Sequence, residues 1–190
     1  MNEIVGNQTR DLWSVYADAS GGSDPGRKST SGGLIALQGF LVQAWSKTQP
    51  VIALSSCESE LLALCWAAQA ALLVRALLLE LGLPCRIQLY CDSTAAVATC
   101  FKTGVGRMKH LDIRYLWLQE ELAAQHLTIE SVAGEFNPAD LFTKLLVAKR
   151  LRDVCELVGV KLREGEPDQA NLIGVIDAPV QEEASGFEIA

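Results

Sequence analysis

Four acidic residues stand where separate structural elements of this sequence are expected to begin or end. Asp18 closes the apolar run LWSVYAD, and Asp92 follows the apolar run RIQLYC. Glu60 lies in the first turn of a long apolar helix, and Asp140 ends the motif NPAD at the start of the last helix. Because strand ends and helix starts share one edge of an open α/β sheet, we expect the four carboxylates to converge there.

Carboxylates gathered in this way indicate a divalent metal site. Four unpaired carboxylates cannot all stay ionised at close range, because like charges raise one another's pKa. Oxygen ligands without His or Cys favour Mg²⁺ or Mn²⁺ over zinc. Two such ions about 4 Å apart can support an in-line displacement at phosphorus, in which water is activated and the leaving 3′ oxygen is stabilised. Each acid alone is typical of a turn or a helix cap, so the prediction depends on the four together.

The apolar runs and the breakers between them predict the elements that position these acids. Strands are expected over 12–18, 33–38, 40–46, 86–91 and 127–133. Helices are expected from Ser56 to about Leu81, from Asp92-Ser93 to about Phe101, over 110–125, and from Asn137-Pro138 onward. Ser56 is the expected N-cap of the first helix. The order βββαβααβα, with three strands that can pair antiparallel, favours an α/β fold with one mixed sheet and helices on its faces.

The composition is that of a folded domain without a generally basic surface. The chain has 190 residues, of which 49% are hydrophobic, and this excludes a disordered chain. Its net charge of −7 excludes a basic coat for nucleic acid. Six cysteines without a CxxC motif and only two histidines argue against a zinc site. Free thiols fit a reducing intracellular compartment, cytoplasmic or nuclear.

Apolar and charged stretches predict the domain organisation. The apolar run over 61–83 is expected to be a buried helix rather than a membrane span, because Gln69, Arg75 and Glu80 interrupt it. We therefore expect no membrane partner. The last thirty residues carry two basic and seven acidic side chains, which is typical of a solvated tail. The expected division is an N-terminal extension over 1–10, a folded domain over 11–160 and an acidic flexible tail over 161–190.

Five segments occur in a fixed order over about residues 12–158: YADASGGSDPGRKSTSGGLIAL, WSKTQPVIALSSCESELLAL, LYCDSTAAV, KHLDIRYLWLQEEL and ESVAGEFNPADLFTK. In this order they resemble the ribonuclease H domain that ends the polyprotein of copia-type LTR retrotransposons. A single piece such as YCDS is weak evidence, whereas the blocks RKSTSG, SKTQPVIALSS, KHLDIRY and NPADLFTK are together highly specific.

This resemblance implies a five-stranded ribonuclease H-like fold, with three antiparallel strands, parallel additions and helices on both faces. It also implies Mg²⁺-dependent cleavage of the RNA strand of RNA–DNA hybrids. The family's four acids, which are catalytic residues and metal ligands, fall on Asp18, Glu60, Asp92 and Asp140. Glu58 is a rival for Glu60, which is preferred because it precedes Leu-Leu-Ala, similar to the family's Glu-Leu-x-Ala. The stretch AGEFNPAD departs from the pattern, because it is short and lacks the His-containing loop of many ribonucleases H.

Basic and hydroxyl residues near the predicted site are candidates for binding the substrate backbone. Arg27, Lys28 and Ser29 lie in the loop after the first strand, where they could hold phosphates or form a solvated polar turn. Lys47 and Ser93 are further candidates. Three other basic residues are of the same kind and are more typical of surface charges: Lys109, Arg114 and Lys144. The resemblance assigns no chemistry to two residues of KHLDIRY, which are expected to cap or pack a helix: His110 and Asp112.

Functions of different classes are compatible with these residues. The leading hypothesis is an endoribonuclease that hydrolyses RNA–DNA hybrids with two Mg²⁺ ions, for which Mn²⁺ could substitute. The alternative is a non-catalytic nucleic-acid-binding relic of a retrotransposon polyprotein, because basic residues are sparse and binding to a phosphate backbone depends on them. A third hypothesis keeps the fold and changes the substrate to a DNA junction or a single strand. The chain is expected to be a monomer, and a reverse transcriptase domain of the parent polyprotein is its expected partner.

Overall fold

Five strands form one mixed sheet in the computed structural model, which describes residues 12–21, 28–102 and 112–161. The strands are β1 Leu12–Ala19, β2 Thr30–Leu37, β3 Phe40–Thr48, β4 Arg86–Cys91 and β5 Thr128–Ser131. β2 pairs antiparallel with both β1 and β3, whereas β4 runs parallel to β1 and β5 runs parallel to β4. The spatial order is β3-β2-β1-β4-β5, so the predicted α/β fold with a mixed five-stranded sheet is confirmed.

β1 lies in the centre of the sheet and brings two of the acidic residues to one edge. Its residues Val15 and Ala17 are fully buried on one face, and Tyr16 on the other face packs against a second apolar cluster, as expected for a strand that is covered on both faces. Ala17 is in register with Cys91 of β4. Since the two strands are parallel, Asp18 and Asp92 follow these residues at the same edge of the sheet.

Helices cover both faces of the sheet, as predicted. They are α1 Ser56–Glu80, α2 Thr94–Cys100, α3 Asp112–Ala123 and α4 Ala148–Leu157. On one face, Leu61 and Leu64 of α1 join Leu89 of β4 in the main hydrophobic core. On the opposite face, Val158 follows α4 and packs with Leu34 of β2 in a second, smaller cluster. Burial of apolar surface on both faces, at about 25 cal/mol per Å², is the main force that holds the layers together.

α1 begins with a side-chain cap and extends beyond the sheet. Its N-cap is Ser55 rather than the predicted Ser56, and the Ser55 hydroxyl accepts the backbone N–H of Glu58. The prediction was wrong by one residue because adjacent serines are equally suited to capping. The N-terminal half of α1 is buried, whereas its last turns leave three leucines exposed: Leu73, Leu77 and Leu79. Among the described residues, one helix, α1, is by length and composition apolar enough to cross a membrane. In its most apolar stretch of 18 residues, 44% of the residues are buried inside the protein.

The predicted last helix is in fact two separate elements. Asn137-Pro138 open a short 3-10 helix, Pro138–Phe142, and α4 begins only at Ala148. The Asn137 side chain donates to the carbonyl of Ala17 in β1, and Phe142 packs into the smaller apolar cluster. These tertiary contacts hold the turn against the sheet, which is why it does not continue as an α-helix.

Several predicted features fall outside the part of the chain that the structure describes. They are the N-terminal extension over 1–10, Arg27, Lys109, His110 and the acidic tail beyond Lys161. The division into extension, folded domain and tail therefore stays a prediction. Asp112 is described through its backbone as the first residue of α3.

Candidate active site

Three carboxylates meet at the edge of the sheet where β1 and β4 end. Oxygen atoms of Asp18, Asp92 and Asp140 all lie within 4.8 Å of one another. Asp18 is 1% exposed and Asp140 is 7% exposed. Asp18 comes from the central strand β1, Asp92 directly follows the parallel strand β4, and Asp140 comes from the 3-10 helix. The structure thus brings together three of the four acids that the sequence places at this edge.

Asp140 is positioned by close contacts beneath the 3-10 helix. The amide nitrogen of Asn137 donates to the Ala17 carbonyl over 3.0 Å, and its amide oxygen accepts the N–H of Ala139 over 3.2 Å. Gly32 of β2 allows the turn to approach the sheet, since a Cβ there would lie 2.8 Å from Cβ of Phe142. The buried asparagine and the glycine together bind the loop that carries Asp140 to the strand that carries Asp18.

Glu60 lies beside Asp92 and near Asp18. Its carboxylate, the Cys91 sulfur and the Asp92 carboxylate have ligand atoms within 4.8 Å of one another. The Cys91 thiol donates to Glu60 Oε2 over 3.7 Å, and the backbone of Ala19 also forms a hydrogen bond with Glu60. Burial, followed by the charges of Asp18 and Asp92, raises the pKa of Glu60 from its usual 4.5 to about 8.

Glu58, the rival of Glu60, has a different place in the fold. It lies near the N-terminus of α1, where its Oε2 accepts the N–H of Leu54 over 2.7 Å. Ser55 accepts the N–H of Glu58 in return, so the pair satisfies N–H groups that the first turn of a helix leaves without partners. Glu58 therefore stabilises the start of α1, and Glu60 is the glutamate that lies beside the other acids.

A lysine lies inside the acidic cluster. Lys144 Nζ is 3.2 Å from Asp18 Oδ1 and 2.5 Å from Asp140 Oδ1. Thr143 donates its hydroxyl to the other oxygen of Asp18. Burial raises the pKa of Asp18 above its usual range, although Thr143 and Lys144 oppose that shift. Burial lowers the pKa of Lys144, but its contacts with Asp140 and Asp18 outweigh burial and raise it overall, so the lysine is charged at neutral pH.

Arg150 of α4 supports the cluster from the other side. Its guanidinium lies 3.1 Å from Asp140 Oδ2 and also donates to the carbonyls of Gly134 and Glu135. Gly134 lies against Asp92, since a Cβ at that glycine would be 3.3 Å from Asp92 Oδ2. Arg150 is not predicted from the sequence, because its role depends on how α4 packs against the site. For Lys144 a signal existed, since its spacing of four residues from Asp140 is typical of ion pairs.

The donor atoms suit a hard divalent cation. Carboxylate oxygens dominate the cluster, and Mg²⁺ and Ca²⁺ prefer such ligands. The one sulfur in the cluster belongs to Cys91, whose thiol pKa is raised by burial and by the neighbouring Glu60 charge. The thiol therefore stays protonated at neutral pH, which disfavours a zinc site because zinc binds thiolate. Buried carboxylates that only partly pair with cations have an electrostatic need that a divalent ion would meet.

The predicted substrate-binding residues divide into exposed and engaged side chains. Lys28 and Lys47 are exposed, and Lys47 Nζ lies 4.4 Å from the ring centroid of Trp66. Both lie toward the edge of the sheet that carries the acids, because β2 begins and β3 ends there. Ser29 is buried, so its hydroxyl is not presented to solvent. Ser93 is the N-cap of α2 and accepts the N–H of Ala96.

Comparison with known sequences identifies a relative of this chain. No family model matches it. It is 33% identical over 148 residues to the retrovirus-related Pol polyprotein from transposon TNT 1-94 of Nicotiana tabacum. The alignment covers 76% of this chain and 11% of the polyprotein, so the chain spans about a tenth of that relative's length. The resemblance to a copia-type retrotransposon polyprotein is confirmed by this match.

Comparison with solved structures identifies the fold. The structure is similar to LC11-RNase H1 isolated from compost, with a TM-score of 0.56 and 16% identity, over 70% of this chain and 93% of that one. It is similar to RNase H1 from the halophilic archaeon Halobacterium salinarum, with a TM-score of 0.53 and 20% identity, over 70% and 94% of the two chains. It is also similar to LC11-RNase H1 in complex with an RNA/DNA hybrid, with a TM-score of 0.53 and 16% identity, over 69% of this chain and 93% of that one. These likenesses show the fold.

Proposed function

Since this chain has the ribonuclease H fold and is a relative of a retrotransposon Pol polyprotein, we propose that it is an endoribonuclease that hydrolyses the RNA strand of RNA–DNA hybrids. The observation that carries the proposal is the meeting of Asp18, Asp92 and Asp140 at one edge of the sheet, with Glu60 beside Asp92. A structure of the same fold holds an RNA/DNA hybrid, which supports this substrate class.

The four acids would hold Mg²⁺, or Mn²⁺ in its place. Two such ions supply the activation of the attacking water and the stabilisation of the leaving 3′ oxygen. The chain's own contribution is rigid positioning: β1 and β4 hold Asp18 and Asp92, and Asn137 binds the Asp140 loop to β1. Carboxylates that are buried and orientated before substrate arrives lose little free energy to reorganisation.

The exposed lysines at the same edge would bind the hybrid. Lys28 and Lys47 can contact phosphates, and such contacts position a duplex without reading its sequence. Hybrid recognition would then depend on groove shape and 2′-hydroxyl groups. With few basic residues, binding should weaken steeply with salt, and we propose that a reverse transcriptase domain of the parent polyprotein supplies further affinity. The chain would act as a monomer in the cytoplasm or nucleus.

A second candidate is a domain that binds hybrids without cutting them. The observation that favours it is the pairing of Lys144 with Asp18 and Asp140, and of Arg150 with Asp140. These cations already satisfy oxygens that a metal ion would need. The same cleavage experiment separates the two candidates.

The test is cleavage of a labelled RNA–DNA hybrid by the purified chain, with Mg²⁺ and with EDTA. Asp92→Asn is the test variant, because Asn keeps the shape of the side chain and removes the charge. Asp153→Asn is the matched control, because Asp153 is an exposed carboxylate of α4 outside the cluster. Duplex RNA and duplex DNA serve as comparison substrates.

We expect Mg²⁺-dependent cuts in the RNA strand that disappear in Asp92→Asn and persist in Asp153→Asn. Circular dichroism should show that both variants are folded. Full activity of Asp92→Asn would refute the assignment of the site. Binding of the hybrid without cleavage by the wild-type chain would favour the second candidate.

A further inference from the structure

Lys144 occupies the position between two carboxylates that the proposed function assigns to a metal ion. Its ammonium group lies 3.2 Å from Asp18 Oδ1 and 2.5 Å from Asp140 Oδ1. The remaining oxygens are also engaged, since Asp18 Oδ2 accepts the Thr143 hydroxyl and Asp140 Oδ2 lies 3.1 Å from Arg150. All four oxygens of these two carboxylates therefore have donors from the chain itself.

An ammonium group and a divalent cation cannot share these oxygens. Both carry positive charge, and charges of like sign repel strongly at the short distances of direct contact in a buried site. A metal ion that binds Asp18 and Asp140 must therefore displace one of the two resident cations, Lys144 or Arg150.

Local structure distinguishes these two cations. The side chain of Lys144 is 43% exposed and is followed by Leu145, which is fully exposed, in a segment between the 3-10 helix and α4. Its long flexible stem can move the ammonium group into water at little cost. Arg150 is 24% exposed, lies on α4 and also donates to the carbonyls of Gly134 and Glu135. Arg150 is thus bound at several points, whereas within the described part of the chain the Lys144 ammonium group contacts only acids that the metal would take.

From this geometry we infer that Lys144 is a built-in counter-cation, which holds Asp18 and Asp140 together in the metal-free protein and leaves them when a divalent cation binds. The inference rests on the proposed function, because it takes these acids as metal ligands. Lys144 thereby stabilises the metal-free fold and lowers the affinity of the site for metal. Arg150 stays in place in both states and keeps Asp140 orientated.

The first test measures Mg²⁺ and Mn²⁺ binding by isothermal titration calorimetry, and thermal unfolding in EDTA. The variants are Lys144→Met, which keeps the stem and removes the charge, and Lys149→Met as the matched control. Lys149 is an exposed lysine of α4 with the same charge, so this variant reports the effect of net charge alone. Lys144→Met should bind Mg²⁺ about 3- to 10-fold more tightly than the wild type, as expected for the loss of a partly exposed competing ion pair. It should also unfold at a lower temperature in EDTA, while Lys149→Met should match the wild type in both measurements.

The second test uses the wild-type chain, so it holds even where Lys144→Met fails to fold. Lysines are acetylated briefly with and without saturating Mg²⁺, and the modified sites are quantified by mass spectrometry. If Mg²⁺ releases the ammonium group, labelling of Lys144 should rise about threefold or more when Mg²⁺ is present, because the amine is then no longer paired with Asp18 and Asp140. Labelling of Lys149 should not change.

Equal or weaker Mg²⁺ binding by Lys144→Met would overturn the inference, and so would metal binding that leaves Lys144 labelling unchanged. Absence of metal binding in both the wild type and Lys144→Met would also overturn it. Failure of the proposed function is distinguishable from failure of this inference. If Lys144 is released on metal binding but no hybrid is cleaved, the proposed activity is refuted and the role of Lys144 as a counter-cation stands.

Discussion

Replacing Glu60 with Gln should stabilise the metal-free protein while it damages the proposed active site. Burial and the charges of Asp18 and Asp92 raise the pKa of Glu60 from 4.5 to about 8 in the folded state. The folded protein therefore binds a proton that the unfolded chain releases between these two pH values. The stabilising contribution of Glu60 is complete below pH 4.5 and is lost as the pH rises toward 8.

The size of the effect follows from this interval. At pH 7 Glu60 is mostly protonated in the folded protein and ionised in the unfolded chain, and this difference lowers the free energy of unfolding by about 3 kcal/mol, since each pKa unit corresponds to about 1.4 kcal/mol. Gln is neutral and similar in shape to the protonated Glu60, but it buries an amide NH₂ group that needs a hydrogen-bond partner, which offsets part of the gain in stability. We therefore expect Glu60→Gln to raise the free energy of unfolding by about 1–3 kcal/mol at pH 7, which corresponds to a rise in Tm of about 2–10 °C.

The assay is urea unfolding in EDTA, followed by circular dichroism at about pH 5, 7 and 8.5, where the proton-linked difference should grow with pH. Glu58→Gln is the matched control, because Glu58 is a buried glutamate of the same helix that serves the N-terminal cap. Glu58→Gln should lower the free energy of unfolding by about 0.5–1 kcal/mol, because it removes a charge that favours the start of a helix. A stability difference between Glu60→Gln and wild type that is independent of pH would refute the reasoning, and so would a variant less stable than wild type at pH 8.5.

Two further substitutions test how the Asp140 loop is positioned. Gly32→Ala should lower the free energy of unfolding by about 1–3 kcal/mol and reduce hybrid cleavage, because the new Cβ would lie 2.8 Å from Cβ of Phe142. Urea unfolding and the cleavage assay measure both effects, and Gly21→Ala, where no atom lies within 4 Å of the new Cβ, is the control. Asn137→Ala should cost about 2–3 kcal/mol, because it leaves the buried carbonyl of Ala17 without the amide donor. Unchanged urea stability of Asn137→Ala would contradict the proposed role of this amide.

Much of the site could be predicted from local patterns. Asp18 and Asp92 each follow an apolar run of strand type, and parallel strands present their ends at one edge of a sheet. The choice of Glu60 over Glu58 came from the resemblance, and the structure gives it a physical basis, since Glu58 is engaged at the start of α1. The residues of the proposed metal site carry their signal in short segments, which is why the sequence identifies them.

Other features could not be read from local patterns, because they depend on contacts between distant segments. NPAD looks like the start of a long helix, yet the bond from Asn137 to Ala17 and the packing of Phe142 limit it to a short turn. Ser29 looks like a polar loop residue and is buried. Arg150 shows no distinguishing pattern in the sequence, and its role appears only where α4 meets a second short 3-10 helix, Gly134–Phe136.

The sequence by its own patterns determined the order of the strands, the α/β class and the acidic candidates for the site, because these follow from hydrophobic periodicity and from residue types over short spans. Only the tertiary structure decided which cations approach those acids. Lys144 reaches Asp140 from the segment after the 3-10 helix, and Arg150 reaches it from α4, which packs against that 3-10 helix. The spacing of four residues favours the pair of Lys144 with Asp140, but the contacts of these cations with distant segments depend on distance and burial in three dimensions, which no spacing along the chain specifies.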